Sequence, residues 1–399
     1  MKFQKISYGK NVYDQREINA VIKSLKNGTQ SGDSVLKFEK KVAKVFSKKH
    51  GLMVNSGSSA NTLALESLNL KKGSNIITPL LTFGTTIAPM IRLGLIPNFI
   101  DIKLDTLNID EDLVEKAIND KTSAIMVPNL IGNIPNFKTL RKIANKYKLK
   151  LIEDSADTIG GSIYNKPCGY YSDIITTSFY GSHIISCAGN GGMVCFNKDA
   201  HYTKSKILRS WGRTSSIYKE SENIKNRFAK KVNKMNYDSK FIFSEIGYNF
   251  EPSESGAAFG LVQLAKLKSN IKIRENNFKR LFNYVSENPK YFIKPLQYKY
   301  IRTPWLAFPI IINYKSKIIR NKFQIYLEKN GIQTRPIFTG NILKQPGFKK
   351  IKRITHFKNY PNTDYIMKNG ILIGCHQGLV NKNIDYMIYH LKKFTSIYA

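Results

Sequence analysis

The sequence predicts an α/β protein, with a large domain built on a mainly parallel seven-stranded sheet and a smaller α+β C-terminal domain. Over residues 50–200, short apolar runs alternate with segments of helical periodicity, which is the pattern of a parallel sheet covered by helices. After about residue 255 a long helical pattern leads into a mixed region. We therefore expect a large domain with its N-terminal segment over 1–255, and a connecting helix with the small domain over 256–399.

The individual elements follow from the same patterns. The predicted strands of the large sheet are 51–54, 75–79, 96–102, 123–128, 149–153, 174–179 and 193–196. Helical periodicity between them is clearest over 61–68, 111–118 and 137–147. A connecting helix is expected over 257–285, followed by strands near 305–312 and 371–374 and a helix near 321–330. The lysine-rich stretch 214–240 predicts an exposed excursion from the large domain.

Composition narrows the class of protein. The chain has 399 residues, of which 42% are hydrophobic and 23% charged, as in ordinary globular proteins. We find no run of 18 apolar residues for a membrane span and no apolar secretory segment at the N-terminus. The four cysteines have neither metal-ligand spacing nor the density of a disulfide scaffold. These features predict a cytoplasmic protein without a metal site.

The formal net charge is +35, and its lysines and arginines are spread along the whole chain. A basic protein attracts anions, including the phosphates of nucleotide sugars. Because the chain has no zinc finger or other nucleic-acid recognition motif, we expect solvated surface charge and no nucleic-acid partner.

The first chemical motif is NSGSSAN at residues 55–61, between a predicted strand and a predicted helix. Small residues such as Gly57 and Ser58 let the backbone approach a phosphate, and a helix N-terminus offers free N–H groups. The same residues are also good helix caps. The motif alone therefore leaves both interpretations open.

The second motif, LIEDSAD at residues 151–157, is an apolar strand that ends in carboxylates. An acid there, such as Asp154, can pair with the protonated ring nitrogen of pyridoxal phosphate (PLP). Asp154 and Asp157 could instead bind a metal or cap the next segment.

The third motif is SFYGSH at residues 178–183, followed by GNGG at 189–192. A strand ends in Ser178, and a glycine-containing turn then presents His183. Histidine is a plausible general base near neutral pH, although a single histidine is more often structural.

These motifs, in this order, resemble the DegT/DnrJ/EryC1/StrS sugar aminotransferase family. LLTFGTT at 80–86, GYNF at 247–250 and GIQTRP at 331–336 extend the resemblance over nearly the whole chain. It implies the PLP-dependent transferase fold type I and a homodimer with a shared active site. The implied cofactor-binding residues are Gly57, Ser58, Phe83, Asp154, Asp157, Ser178 and Asn249. Among them, Gly57, Ser58 and Ser178 would bind the phosphate, Phe83 would stack on the ring, and Asn249 would reach the neighbouring subunit's phosphate.

His183 stands where the family's aminotransferases have the lysine that binds PLP covalently. Imidazole forms no stable Schiff base, so the resemblance implies non-covalent PLP or pyridoxamine phosphate (PMP). It also implies the lysine-lacking branch of nucleotide-sugar 3-dehydratases, with His183 catalytic and Ser182 and Arg335 as candidate substrate-binding residues. Arg335 could equally be a surface arginine at a strand end.

The expected substrates are a nucleotide-linked 4-keto-6-deoxy sugar, with GDP favoured, and L-glutamate, which regenerates PMP. One subtype of this branch has a [2Fe–2S] cluster, with cysteines after a Trp-Gly-Arg motif, and a reductase partner. Here WGR at 211–213 is followed by Thr-Ser-Ser, and no cysteine lies between Cys195 and Cys375. We therefore expect no iron–sulfur cluster and no reductase partner. An aminotransferase that uses another lysine and a non-catalytic PLP-binding regulatory protein remain alternatives.

Overall fold

The computed structural model describes residues 5–218, 222–356 and 359–398. Its strands are β1 His50–Val54, β2 Asn75–Pro79, β3 Ile96–Ile100, β4 Thr122–Pro128, β5 Lys150–Asp154, β6 Ser162–Ile163, β7 Lys166–Pro167, β8 Ile174–Ser178, β9 Gly192–Phe196, β10 Lys230–Val232, β11 Met235–Tyr237, β12 Phe292–Ile293, β13 Ile301–Arg302, β14 Ala307–Ile312, β15 Thr334–Pro336, β16 Ile354–Thr355 and β17 Gly370–Gly374.

The α-helices are α1 Gln15–Asn27, α2 Asp33–Val45, α3 Gly57–Glu66, α4 Gly84–Arg92, α5 Glu111–Val114, α6 Phe137–Lys146, α7 Asp199–Arg209, α8 Ile224–Arg227, α9 Glu254–Ala265, α10 Leu267–Ser286, α11 Arg320–Lys329, α12 Pro361–Asn369 and α13 Asn381–Thr395. None of the helices within the described ranges is long and apolar enough to cross a membrane.

The large sheet has the strand order β1-β9-β8-β5-β4-β2-β3-β16. All seven predicted strands are present; β9 pairs antiparallel with β1 and β8, and the other pairs of this sheet are parallel. The prediction of seven strands omitted an eighth, β16, which pairs in parallel with β3. Two residues carry too little pattern to be recognised as a strand, so only the tertiary pairing reveals β16.

Both faces of the sheet are buried, and β4 illustrates why. Successive side chains of a strand point to opposite faces. Ile125 and Val127 therefore join a cluster with Phe137 of α6, whereas Ala124 and Met126 join one with α3. Burial on both sides explains why these strands appear in the sequence as continuous apolar runs.

The C-terminal part contains an antiparallel sheet with the order β12-β14-β17-β15. The predicted strands at 305–312 and 371–374 and the helix at 321–330 are confirmed as β14, β17 and α11, within two residues at each end. The single connecting helix predicted over 257–285 is wrong in one respect, since it is divided into α9 and α10. The division falls at Lys266, whose ψ of −4° departs from regular helix and whose N–H is shared between the carbonyls of Val262 and Gln263.

The lysine-rich stretch contains the hairpin β10–β11, whose residues are exposed as the predicted excursion requires; residues 219–221 lie outside the described residues. At the N-terminus, Ile6 pairs with Ile332 beside β15. The division of the chain at residue 255 stays a prediction.

Candidate active site

A cavity of about 310 Å³ lies where β4, β5 and β8 end, at the carboxyl edge of the parallel strands. Ligands in open α/β sheets bind at this edge. The lining residues include seven that the sequence singled out: Gly57, Ser58, Phe83, Asp154, Asp157, Ser178 and His183. The strand ends therefore bring together motifs that lie more than 120 residues apart in the chain.

One end of the cavity is formed by the start of α3. Ser56 caps this helix, since its side-chain oxygen accepts a hydrogen bond from the Ser59 N–H at 3.1 Å. Gly57 lies so close to Ser178 that a Cβ added to it would be 2.7 Å from the Ser178 Cβ. The glycine therefore allows a hydroxyl and the N–H groups of a helix N-terminus to meet at one point, as a phosphate requires.

Asp154, the last residue of β5, lies at the buried side of the cavity. Its Oδ2 accepts hydrogen bonds from Asn61 Nδ2 at 2.9 Å and from Thr86 Oγ1 at 2.8 Å. Burial raises the pKa of the Asp154 carboxyl, and these donors partly offset that shift. A protonated heterocycle placed against this carboxyl would favour its ionised form.

Asn61 is itself oriented by the sheet. Thr176 of β8 donates to Asn61 Oδ1 at 2.6 Å, so the Asn61 amide must present its NH₂ group to Asp154. Thr176 and Asp154 are register partners in the β5–β8 pair. The carboxylate is therefore held by side chains from two neighbouring elements.

Asp157 is also buried, and its Oδ2 accepts from the Ile131 N–H at 2.9 Å. Burial, with a further contribution from the Asp154 charge, raises the pKa of Asp157 to about 7, against the opposing effect of the Ile131 hydrogen bond. The two carboxyls of this motif therefore have different environments, and Asp157 holds a proton more readily than an exposed carboxyl does.

His183 lies in the turn after β8, and its Nδ1 is 3.2 Å from the Ser178 carbonyl oxygen. A carbonyl only accepts, so Nδ1 carries the proton and Nε2 keeps a free lone pair. Burial lowers the pKa of His183 to about 4, and the Arg274 charge contributes, whereas the Ser178 hydrogen bond opposes the shift. At neutral pH this side chain is therefore a neutral imidazole with one basic nitrogen.

Three predicted residues lie away from this cavity lining. Ser182 packs against Gly9, and Arg335 is exposed on β15, where its guanidinium lies 5.8 Å from the ring of Tyr8. Asn249 is exposed, and its backbone carbonyl accepts from Asn55. Their roles stay predictions.

The sequence motifs assigned no role to several of the lining residues: Asn61, Thr86, Tyr180, Asn190 and Phe338. Phe338 packs edge-on against Phe83 with ring centroids 6.0 Å apart. Asn61 and Thr86 belong to the quoted motifs, but their hydrogen bonds to Asp154 and Thr176 are tertiary contacts that the motifs do not show. No local pattern places Phe338, because it comes from the C-terminal part of the chain.

The cavity fits PLP. It combines a helix N-terminus that only a glycine can bring against Ser178, a buried carboxylate for the ring nitrogen, and an aromatic side chain, Phe83, 54% exposed at its mouth. Fold and site together define a PLP-dependent enzyme of the aminotransferase type. The chain belongs to the DegT/DnrJ/EryC1/StrS aminotransferase family, whose model matches residues 11–392.

Two curated relatives illustrate the similarity. The chain is 35% identical over 370 residues to the lipopolysaccharide biosynthesis protein RfbH of Salmonella typhimurium, covering 90% of this chain and 84% of the relative. It is 33% identical over 393 residues to the GDP-4-keto-6-deoxy-D-mannose 3-dehydratase of Yersinia pseudotuberculosis, covering 96% of this chain and 97% of the relative.

Solved structures of GDP-4-keto-6-deoxymannose-3-dehydratase (ColD) also match. A mutant of that enzyme with bound GDP-perosamine superposes with a TM-score of 0.88 at 32% identity, covering 97% of this chain and all of the other. A second structure, with a trapped PLP-glutamate geminal diamine, has the same TM-score at 31% identity and the same coverage. The predicted family and fold are confirmed.

The four cysteines, Cys168, Cys187, Cys195 and Cys375, are buried and unpaired. Across residues 5–218, 222–356 and 359–398, no three His, Cys, Asp or Glu side chains are grouped so that they could hold a metal ion.

Proposed function

We propose that this chain is a PLP/PMP-dependent 3-dehydratase that removes the C3 hydroxyl from a nucleotide-linked 4-keto-6-deoxy sugar, with GDP as the favoured nucleotide. The product is a 4-keto-3,6-dideoxy sugar, and glutamate regenerates PMP. The observation that carries the proposal is His183, a neutral imidazole in the place of the family's cofactor-binding lysine. The matching relatives named as 3-dehydratases support the same reaction.

The cavity residues would hold the cofactor without a covalent bond. Gly57, Ser58 and Ser178 would bind its phosphate, Phe83 would cover one face of the ring, and Asp154 would hold a proton at the ring nitrogen. When bound, PMP supplies an amine that condenses with the sugar ketone and a ring that accepts electrons. Because burial raises the pKa of Asp157, its carboxyl could donate as well as accept a hydrogen bond to the cofactor.

His183 would move the proton on which the elimination depends. Its Nε2 lone pair would accept a proton from the C4′ carbon beside the ring, while Nδ1 keeps its hydrogen bond to the Ser178 carbonyl. The imidazolium then donates that proton to the departing C3 hydroxyl, which leaves as water. Because His183 has no amine, it cannot recapture the cofactor as lysine does, and this favours elimination over amine transfer.

Substrate binding by Arg335 and Ser182 is part of the proposal. Arg335 is exposed on β15, next to Tyr8, and a guanidinium can grip a carboxylate or sugar oxygens. In an Arg335→Met variant we expect a higher KM for glutamate or for the sugar with little change in kcat. An unchanged pair of KM values would remove Arg335 from the substrate site.

We also propose a homodimer with a shared active site. Asn249 faces solvent rather than its own cavity, and the same region exposes Ile246 by 96%, with Phe241 and Phe243 more than half exposed. Apolar surface of this kind commonly belongs to an interface. Mixing an inactive His183→Asn chain with an inactive Asn249→Asp chain should restore activity if one subunit's Asn249 serves the other's cavity. No restoration in a proven mixed dimer would contradict the shared site.

The decisive assay incubates the purified protein with PLP, glutamate and a panel of nucleotide-linked 4-keto-6-deoxy sugars. Release of ammonia with a sugar lighter by one oxygen supports dehydration. An aminosugar would identify an aminotransferase that uses another lysine. Cofactor binding without any product would indicate a regulatory PLP-binding protein.

Two variants of His183 sharpen that assay. His183→Asn should bind PMP yet lose dehydration, because the amide is not a base. His183→Lys should form a borohydride-reducible covalent bond to PLP and dehydrate poorly. Full dehydration by His183→Asn would contradict the assignment of His183 as the base.

The proposal includes a cytosolic location and a role in making 3,6-dideoxy sugars for a surface polysaccharide. Glutamate and nucleotide sugars are intracellular metabolites, and the four cysteines are unpaired. The lipopolysaccharide biosynthesis protein among the relatives supports the polysaccharide role.

A further inference from the structure

The turn that carries His183 is held from outside the cavity. Immediately after His183, the Ile184 carbonyl accepts a hydrogen bond from Gln377 Nε2 at 3.4 Å. Gln377 is 8% exposed and lies in the loop after β17. A residue almost 200 positions away in the chain therefore contacts the backbone beside His183.

Gln377 is in turn oriented by Arg274 of α10. Arg274 Nε donates to Gln377 Oε1 at 2.6 Å, which forces the Gln377 amide to present its NH₂ group to Ile184. Arg274 Nη1 donates to the backbone carbonyls of Trp305 and Leu306 at 2.9 and 3.0 Å. The same helix also anchors the loop, since Asn277 Nδ2 donates to the carbonyl of Leu379 at 3.2 Å.

The Arg274 side chain is 0% exposed, and no carboxylate within the described residues forms an ion pair with it. Its Nη2 has no hydrogen-bond partner among the described residues. Burying a guanidinium that binds only neutral acceptors carries a large desolvation free energy, which a leucine or methionine at this position would avoid. The charge therefore calls for a reason beyond packing, and the nearest chemistry is the His183 turn.

We propose that Arg274, acting through Gln377, is a positioning residue that sets the orientation of the His183 turn for proton transfer. The inference rests on the proposed function, because it assumes that His183 moves the proton. The positive charge of Arg274 supports the same role, because it lowers the pKa of His183 and so helps to keep the imidazole neutral and able to accept a proton. The other ionisable groups around the turn are Asp154 and Asp157 across the cavity, Tyr180 in the turn, Tyr8 in the N-terminal segment, and Cys375 and His376 beside Gln377.

Three variants test this in the full-length protein. Arg274→Met removes the charge and the link. Gln377→Glu keeps an acceptor for Arg274 and removes the donor to Ile184. Arg280→Met is the matched control, because Arg280 lies on the same helix and binds Asn381 and Asp385 at the surface.

Two quantities are measured for each variant: kcat and KM for ammonia release, and the pH titration of the His183 imidazole. The titration follows the Cε1–H NMR signal in cofactor-free protein, assigned with His183→Asn. For Arg274→Met and Gln377→Glu we expect kcat to fall about tenfold or more with KM within about twofold, as misplacement of a proton-transfer group does. The His183 titration should move to higher pH, while Arg280→Met matches the wild type in both quantities.

A fall in kcat with an unchanged His183 titration would assign Arg274 and Gln377 a purely structural role and overturn the inference. A wild-type kcat in a folded Gln377→Glu protein would also overturn the inference. This variant keeps the test valid if Arg274→Met fails to fold. Because the titration needs no turnover, it separates failure of this inference from failure of the proposed function. A shifted titration in a protein without dehydratase activity would sink the proposed function and leave the link between Arg274 and His183 intact.

Discussion

Replacing Thr86 with valine tests whether Asp154 acts as an ionised partner of the cofactor ring. Thr86 is 1% exposed, and its Oγ1 donates to Asp154 Oδ2 at 2.8 Å. Valine has nearly the same shape, so the substitution removes one donor and little packing. Burial already raises the pKa of Asp154, and losing a donor makes the ionised carboxylate costlier still.

The expected loss of PMP affinity follows from the strength of the hydrogen bond that Thr86→Val removes. A hydrogen bond to a charged group contributes about 1.5–3 kcal/mol, and each ~1.4 kcal/mol changes a dissociation constant tenfold. If binding must ionise Asp154, the affinity for PMP should fall about ten- to a hundredfold. Asn61 and the Ala156 N–H remain as donors, which places the expected loss toward the lower end.

The assay is a fluorescence titration with PMP, which cannot form imines with surface lysines. Thr78→Val is the matched control, because Thr78 is 0% exposed and its Oγ1 has no hydrogen-bond partner within the described parts of the chain. We expect wild-type affinity from it. Equal losses in the two variants, or no loss in Thr86→Val, would refute the reasoning about Asp154.

Three further changes have defined outcomes. Gly57→Ala places a methyl group against Ser178 and should weaken phosphate binding, and so PMP affinity, by about tenfold or more, whereas Gly347→Ala, with no atom near the added Cβ, should not. In cofactor-free protein, burial lowers the pKa of His183 from 6.5 to about 4, so the free energy of unfolding should fall as the pH drops from about 6.5 to 4. His183→Asn should make this fall smaller by up to about 3 kcal/mol, measured as the difference between urea unfolding at pH 7 and at pH 4. Glu254→Gln should lower the free energy of unfolding at pH 7 by about 1–3 kcal/mol, because the Glu254 carboxylate accepts three N–H groups at the start of α2, and an unchanged urea midpoint would contradict that role.

The sequence predicted most of the large sheet, because its strands are buried on both faces and contain short apolar runs, such as Ala124–Val127 in β4. It could not predict β16, whose two residues carry no period and become a strand only by pairing with β3. The sequence also predicted one helix in place of α9 and α10, because a one-residue break at Lys266 leaves the apolar spacing almost unchanged.

For the site, the sequence identified the strand ends that meet at the cavity, and seven of the ten candidate residues line it. The three others depend on contacts that no local pattern describes. Phe338, which lines the cavity, and Gln377, which binds the His183 turn from outside it, were given no role for the same reason, since both come from the C-terminal part of the chain.

The sequence by itself determined which chemical groups the protein has, and its resemblance to the family predicted that His183 replaces a lysine. Only the tertiary structure decided the state of those groups. Whether His183 is neutral, which of its nitrogens is free and whether Asp157 holds a proton depend on burial and on partners such as the Ser178 carbonyl. Desolvation and hydrogen-bond geometry arise from contacts between distant segments, and a linear pattern of residues does not contain them.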